Sequence, residues 1–505
     1  MDAAPPSRTD RQMVMTTFGL CLALYLLLSP GRVGGSDTTE MLRLAESLKR
    51  GSVAIEPVPG WSFQGPDGRH FSRYGLGYPI LLAPFLAAGE AVARLVAKFP
   101  PYYYSRLAAS VVNPLLTAAT AALLVRLLLA IGFSRRRSLL AALLWAFGSV
   151  AFVQTKEGLS EPTATFFLMA AAVAFRRAVL EDTPRAAMLG SAALSAAVLT
   201  RPLVAACAPS VLPWLFASRR RGRILAAAAI PALGGLLVQL AYNAVRTGSP
   251  VRFGYGHTTS MFVLPSVREL AYRFLSLWVS PGAGLLVWQP YLLLAPLGVV
   301  ALARRSRKDL AAVAGVFGPL FLAVWLYSDW FAGPRLLSPA LPFLTVLVAA
   351  SFDARPLAGR AAGRAAFAGA FALGLLAQLP YVLVPSIRME TRLVLEGNAR
   401  RDWAPGNAPL LGGWHDVAAV AAVPKDAPLV YSETGFPVGG PKEWFRRSAT
   451  MNSFAFWFVH AARLGVPPPL LAVLALLLLA AALALSRRLV ALTGQTRERG
   501  ARSVA

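Results

Sequence analysis

Stretches of about twenty apolar residues recur along this chain, and short arginine clusters separate them. A water-soluble fold cannot bury so many such stretches, so they predict a polytopic membrane protein. The composition agrees, because 56% of the 505 residues are hydrophobic, 15% are charged and the mean hydropathy is +0.55. We therefore expect an all-α protein with about 12 transmembrane helices, since helices satisfy their own backbone groups within lipid.

The arginine clusters predict the sidedness of the chain, because Lys and Arg collect in cytoplasmic loops. Arg11 and Arg135 would both be cytoplasmic, so the chain between them must cross an even number of times, yet it has three apolar stretches. The stretch 76–99 is interrupted by prolines and charges, so we expect it at the outer interface, within a first outer loop 31–104. The twelve expected spans, with both termini cytoplasmic, are 13–30, 105–130, 138–154, 162–180, 186–200, 203–217, 223–245, 283–303, 310–327, 336–352, 366–385 and 466–486.

Two of these spans, around Thr200-Arg201-Pro202, are short of the roughly twenty residues that a straight span needs. They fit either a thin hairpin or one broken element, and the even number of crossings favours the hairpin. We divide the chain into a transmembrane module, a small irregular outer-face domain whose best strand candidate is 427–431, and a last span with a basic cytoplasmic tail. These are residues 1–385, 386–465 and 466–505.

The composition also excludes several classes of function. The net charge is +26 and the pI is about 11.1, but membrane topology explains the arginine clusters, so nucleic-acid binding is excluded. Cys21 and Cys207 both lie in apolar segments, which argues against a disulfide framework. The histidines lack metal-ligand spacing, so no metal site is predicted, although a divalent cofactor, Mg²⁺ or Mn²⁺, stays open. The Ala, Arg and Leu bias is typical of a GC-rich bacterium and suggests its plasma (inner) membrane.

Two carboxylates, Asp37 and Glu40, follow directly after the first apolar segment. Their spacing puts both on one face of a helix whose apolar stripe would face a membrane surface. The stripe consists of Met41, Leu44, Ala45 and Leu48. Local spacing alone favours a capping box, in which Asp37 caps the first turn and Glu40 reaches back to its backbone N–H. Their place at the head of the outer loop favours catalysis instead.

Further charged residues are expected at the outer ends of other spans. A short loop carries Lys156, Glu157 and Glu161, which suit either a helix start before Pro162 or a functional site next to the hydrocarbon. Arginines bind phosphate through a planar fork of donors, or they anchor a helix to lipid head groups. Arg73, Arg201 and Arg335 are the candidates for these two roles. Tyr74 and Asp329 are further candidate residues beside them on the outer face.

The order of these motifs resembles the GT-C class of membrane glycosyltransferases, and within it glycosyltransferase family 39, the protein O-mannosyltransferase and lipid A aminoarabinose transferase group. The resemblance covers roughly residues 13–385. Besides the two acidic motifs, it rests on Arg73-Tyr74-Gly75-Leu76-Gly77-Tyr78-Pro79, Leu199-Thr200-Arg201-Pro202, Ser280-Pro281-Gly282-Ala283-Gly284-Leu285 and Gly333-Pro334-Arg335.

This resemblance implies that a sugar is transferred, with inversion, from a polyprenyl-phosphate carrier to a hydroxyl of a glycan, lipid or protein acceptor on the outer face. The family's base follows the first span and matches Asp37, with Glu40 in reserve. Its second-loop carboxylate matches Glu161, where the family more often has aspartate. Arg73 lies near the place of the family's Lys-Pro-Pro motif. Together with Arg201 and Arg335, it is a candidate for contacts to the donor phosphate.

Two other functions fit a chain of this kind. A transporter or flippase of lipid-linked saccharides would carry ionisable residues in mid-span and broken helices at the midplane. The expected spans have almost no charges, with Arg126 as the exception, which favours the transferase. A scaffold that binds a partner through residues 386–465 is the third hypothesis.

Overall fold

The structure is a computed structural model of the chain. It describes residues 7–502 apart from 59–60, 97, 217, 219, 255–265, 327–333, 358, 398–401, 425–426 and 432–440. The predicted site residue Asp329 therefore lies outside the described residues.

The described chain is almost entirely helical, which confirms the predicted all-α class. The α-helices up to the middle of the chain are Arg8–Leu28, Ser36–Lys49, Gly77–Leu95, Pro101–Ala109, Val112–Ile131, Arg135–Gly148, Val150–Gln154, Glu161–Leu180, Pro184–Thr200, Leu212–Leu215, Arg221–Thr247 and Val267–Val279. Those that follow are Leu285–Trp288, Ala295–Arg305, Arg307–Leu326, Leu341–Ser351, Arg360–Leu383, Ser386–Leu395, Trp414–Ala421, Pro441–Arg447, Trp457–Arg463 and Pro468–Arg502. The 3-10 helices are Pro202–Val211, Pro290–Leu294, Arg335–Ala340, Arg355–Leu357 and Pro405–Asn407, and a π-helix covers Pro409–Gly413.

Eight helices of the described chain are long and apolar enough to cross a membrane. They are Arg8–Leu28, Gly77–Leu95, Pro101–Ile131, Glu161–Leu180, Arg221–Thr247, Arg307–Leu326, Ala361–Leu383 and Pro468–Gly494. The helix Gly77–Leu95 is among them, although the arginine pattern predicts that it lies at the interface. The predicted number of twelve crossings therefore stays a prediction.

The other predicted spans are short or interrupted helices, and the interruptions have local causes. The predicted span 138–154 breaks at Ser149, whose backbone is extended and whose side chain accepts a hydrogen bond from the N–H of Ala151, so a new helix starts there. At Arg201 the backbone is also extended, because the residue before a proline is disfavoured in the helical region. The helix Pro184–Thr200 therefore ends and a 3-10 helix begins, so this region consists of two elements.

The first predicted outer loop contains three helices that pack side by side: Ser36–Lys49, Gly77–Leu95 and Pro101–Ala109. Between the first two lies a small antiparallel hairpin of Phe63–Gln64 and His70–Phe71. Three of the four residues in the predicted apolar stripe, Met41, Leu44 and Ala45, are fully buried. Met41 and Ala45 pack with Leu82 and other residues of helix Gly77–Leu95, which fixes the orientation of the first of these helices.

The segment 386–465 is more helical than predicted, since the four α-helices Ser386–Leu395, Trp414–Ala421, Pro441–Arg447 and Trp457–Arg463 fall within it. The predicted strand 427–431 is wrong. Only Val430 forms a bridge, to Ser448. Pro428, two residues before Val430, has no N–H to donate to a ladder.

The main core lies between the membrane-type helices and is filled by large apolar side chains. Trp145, Tyr25, Tyr291 and Phe343 are among the largest that are fully buried. The hydroxyl of Tyr25 donates to the carbonyl of Ala146 over 2.8 Å, so its polar atom is satisfied within the core. Close side-chain packing of this kind holds helices together where lipid replaces water.

Candidate active site

Asp37 lies in the first turn of helix Ser36–Lys49, and the predicted capping box at this turn is wrong. The N-cap residue is Gly35, whose φ of 106° suits glycine and which offers no side chain for capping. The carboxylate of Asp37 instead contacts the guanidinium of Arg335, and Glu40 accepts a hydrogen bond from the backbone N–H of Arg73 over 2.5 Å. Both carboxylates thus bind residues far away in sequence.

Arg335 joins the two predicted acidic motifs. It begins the 3-10 helix Arg335–Ala340, and its Nη2 donates to Oδ2 of Asp37 while its Nε donates to Oε1 of Glu161 over 2.5 Å. Nη1 of Arg201 lies 2.8 Å from the same Glu161 oxygen. Two carboxylates and two guanidinium groups thus form one ion-pair network, and its most buried member, Glu161, is fully inaccessible to solvent.

Two glycines allow the loops that carry these side chains to approach one another. A Cβ on Gly158 would collide with the side chain of Thr38, next to Asp37, so only glycine lets the loop before Glu161 sit there. A Cβ on Gly77 would collide with Thr200, next to Arg201. The glycines of the two motifs are therefore close-packing positions that bring the network together.

The environment of Asp37 favours its charged form. Burial alone raises the pKa of a carboxyl group, but the charge of Arg335 and its hydrogen bond, with a hydrogen bond from Tyr74, hold the pKa of Asp37 below its ordinary value. Asp37 is therefore a carboxylate over the whole physiological pH range.

Glu40 and Arg73 form a separate cluster. The Nε of Arg73 donates to the carbonyl of Trp61 over 2.8 Å, lies 3.5 Å from Oε2 of Glu40, and its guanidinium covers the Trp61 ring. Burial raises the pKa of Glu40 from 4.5 to about 7, although Arg73 and Ser72 lower it. Through these contacts Arg73 connects parts of the outer loop. Arg73 does not line the cavity beside Arg335, so the two arginines do not form a shared phosphate site there.

A cavity of about 500 Å³ opens beside Asp37 and Arg335. The second predicted loop contributes Lys156 and Glu157 to its wall, whereas Arg201 and Glu161 lie outside the wall. The segment 386–465 contributes the lining residues Ser386, Glu390, Trp444 and His460, and the end of the first apolar segment contributes Arg32. The transmembrane module and the segment after residue 385 thus form this cavity together.

Glu390 and Ser386 are cavity residues that the sequence reasoning missed. They come directly after helix Arg360–Leu383, at the end of a predicted span, and charge at that position is the signal that identified Asp37 and Glu161. Ser386 donates a hydrogen bond to Glu157. Burial raises the pKa of Glu157 to about 7 and also raises that of Glu390, although the charge of Arg335 lowers both.

The donor set does not fit a metal ion. Within the described part of the chain, no group of three or more His, Cys, Asp or Glu side chains is arranged to hold one. Asp37 and Glu161 already have guanidinium partners. We therefore derive no chemical step through a metal.

No protein-family model matches the chain, and no curated protein matches it. The crystal structure of ArnT from Cupriavidus metallidurans bound to undecaprenyl phosphate is similar, with a TM-score of 0.50 and 14% identity over 97% of this chain and 78% of ArnT. The chain has the GT-C fold.

Two further GT-C structures are similar at lower scores. The oligosaccharyltransferase of Archaeoglobus fulgidus tethered with an acceptor peptide has a TM-score of 0.45 at 13% identity, over 79% of this chain and 58% of its own. Its apo form has a TM-score of 0.44 at 13% identity, over 77% and 58%. The similarity to ArnT confirms the expected GT-C fold of a multi-pass membrane protein. The roles of individual site residues stay predictions.

Proposed function

We propose that this GT-C protein is an inverting glycosyltransferase that moves a sugar from a polyprenyl-phosphate carrier to an acceptor hydroxyl. The observation that carries the proposal is the contact of Asp37 with Arg335 at the wall of a cavity. A carboxylate and a guanidinium in contact are the two groups that such a displacement needs. One accepts the acceptor's proton and the other stabilises the departing phosphate.

The reaction is a single in-line displacement. The acceptor oxygen forms a bond to the anomeric carbon while the bond from that carbon to the phosphate oxygen breaks, which inverts the configuration. The hydroxyl proton passes to Asp37, and the bonding electrons leave with the polyprenyl phosphate. No strong general acid is needed, because the leaving phosphate is already a stable anion.

Arg335 couples donor binding to activation of the base. Before the donor binds, its guanidinium holds the pKa of Asp37 low, so the carboxylate is a weak base. A donor phosphate that draws the Nη groups of Arg335 to itself would release Asp37 and raise its pKa. Glu161 and Arg201 would keep Arg335 in position through the Nε contact during this exchange.

Three further points support the proposal. The similar ArnT structure was solved with undecaprenyl phosphate bound, and its fold matches 97% of this chain. The positive-inside pattern of the arginines favours cytoplasmic termini and a site on the outer face of a bacterial inner membrane. An open cavity at that face suits a glycan, lipid or protein acceptor, with membrane lipids on its sides.

Reconstituted protein tests this proposal directly. Nanodiscs containing the protein are given polyprenyl phosphates that carry labelled hexoses or pentoses, with a panel of hydroxyl acceptors. We expect label in an acceptor with inverted anomeric configuration, measured by mass spectrometry and NMR. Absence of transfer across the panel would refute the transferase, and lipid translocation without transfer would favour the flippase.

A further inference from the structure

Two basic residues at the cavity, the half-buried Arg32 and the buried Lys156, have no carboxylate partner among the described residues. Lys156 is only 8% exposed, donates to the backbone carbonyl of Val382, and has its Nζ 4.6 Å from the centroid of the Phe456 ring. The guanidinium of Arg32 lies 4.9 Å above the Tyr431 ring, and its Nη1 is buried without a hydrogen-bond partner in the described chain. Aromatic faces hold both cations in place.

Burial without an opposite charge disfavours the charged form of a side chain, and an opposite charge next to it favours that form. Burial accordingly lowers the pKa of Lys156 well below its ordinary value, and it lowers that of Arg32 too. The other cavity arginine, Arg335, differs, because Asp37 and Glu161 neutralise it. A bound anion beside Arg32 and Lys156 would favour their charged forms and raise both pKa values again.

The charged groups around the cavity fall into two sets. The charges that act on Glu390 are those of Arg335 and Asp37. Burial lowers the pKa of His460 to about 3, and the positive charges of Arg32, Lys156 and a neighbouring arginine lower it too. The second set is therefore cationic and lies beside a neutral histidine.

The backbone adds to the positive potential of the cavity. The helix Ser36–Lys49 begins without a side-chain cap, and Gly34 and Gly35 before it line the cavity. Nothing would contact a Cβ on either glycine, so the helix start faces open space. Backbone N–H groups and the helix dipole favour an anion at such an end.

We propose that Arg32 and Lys156 form an anion subsite that binds a phosphate or carboxylate group of a substrate beside Asp37. The subsite is separate from the contact between Arg335 and Glu161. The inference rests on the proposed function only for the identity of that substrate. The anion belongs either to the donor, as its phosphodiester, or to an acidic acceptor, and the experiment below separates the two.

Tryptophan fluorescence can report binding, because Trp61 and Trp444 line the cavity. The full-length protein in nanodiscs is titrated with undecaprenyl phosphate and, separately, with inorganic phosphate. For Arg32→Gln and Lys156→Gln we expect the Kd of at least one probe to rise about tenfold or more, because each variant loses charged hydrogen bonds. Lys156→Arg should keep binding, and the exposed residues Arg94 and Lys98 provide matched Gln controls.

The two probes identify the source of the anion. A higher Kd for undecaprenyl phosphate assigns the subsite to the donor. A higher Kd for inorganic phosphate alone assigns it to an acidic acceptor. Unchanged Kd values for both probes, in Gln variants whose thermal unfolding matches that of the wild type, would overturn the subsite. Because binding needs no turnover, this result is independent of whether the protein proves to be a transferase.

Discussion

Arg335 contacts Asp37 across 298 positions of sequence, and the same guanidinium donates to Glu161. This arrangement needs a planar group with donors on two sides, which arginine has and lysine lacks. The contact therefore connects the acid that follows the first apolar segment with the acid of the second loop. It also sets the protonation of Asp37, since a guanidinium at this distance keeps the carboxyl group ionised.

We expect Arg335→Lys to lower kcat/KM for sugar transfer by about 10²–10³, because an ammonium ion cannot hold Glu161, Asp37 and a departing phosphate together. The measurement is the transfer rate with labelled donor in nanodiscs. Arg94→Lys on the exposed face of helix Gly77–Leu95 is the matched control. Wild-type kcat/KM in Arg335→Lys would mean that the forked geometry is not used.

Asp37→Asn should lower kcat by about 10²–10⁴, because the amide cannot take the acceptor's proton. Binding of undecaprenyl phosphate should persist, since Asn keeps the shape of the side chain. Asp67→Asn changes an exposed loop carboxylate and serves as the control. Glu40→Gln is assayed in parallel to decide between the two candidate bases. If Glu40→Gln loses nearly all transfer activity while Asp37→Asn retains it, Glu40 is the base.

Hydrophobic length and arginine position were sufficient to predict the all-α membrane class. The position of acids at span ends selects Asp37 and Glu161 as candidates, and their catalytic roles stay predictions. The partners of those acids were not predictable, because the contact with Arg335 depends on how distant helices pack. The capping box failed for the same reason. Asp37 and Glu40 have the spacing of a capping box, but their carboxylates contact the distant residues Arg335 and Arg73 instead. The same rule would have selected Glu390, since this acid also follows the end of a predicted span.

Stability should depend on pH through Glu40. Burial raises the pKa of Glu40 from 4.5 to about 7, so the folded protein holds this proton more tightly than the unfolded chain does. The stability that results is complete below about pH 4.5 and is lost as the pH rises through 7. The Tm in detergent should therefore fall between pH 5 and 8.

Glu40→Gln should flatten this dependence, because its amide is neutral at every pH and still accepts from the N–H of Arg73. At pH 8 the free energy of unfolding of Glu40→Gln should exceed that of the wild type by on the order of 3 kcal/mol. Glu157 also has its pKa raised to about 7, so part of the slope should remain in the variant. Identical pH slopes in wild type and Glu40→Gln would contradict the assignment.

Transfer should not require a divalent metal, because arginines supply the positive charge at Asp37 and Glu161. We expect EDTA to leave the transfer rate within about twofold of the untreated enzyme, since the guanidinium of Arg335 can stabilise the departing phosphate. Rates measured with added Mg²⁺ or Mn²⁺ provide the comparison. A loss that either ion restores would make the carboxylates ligands and would displace Arg335 from its proposed role.

The sidedness of the site can be tested at Glu90. Its side chain is 37% exposed and forms an ion pair with Lys49, so Glu90 lies on the same side of the membrane as Lys49, the last residue of the helix that carries Asp37. In intact cells, Glu90→Cys should react with an impermeant maleimide. Both native cysteines, Cys21 and Cys207, are buried, so their background labelling should be low. Arg136→Cys, in a predicted cytoplasmic cluster, should react only after permeabilisation. Labelling of position 90 only from the cytoplasm would put the whole site on the inner face and remove the basis for an outer-face transferase.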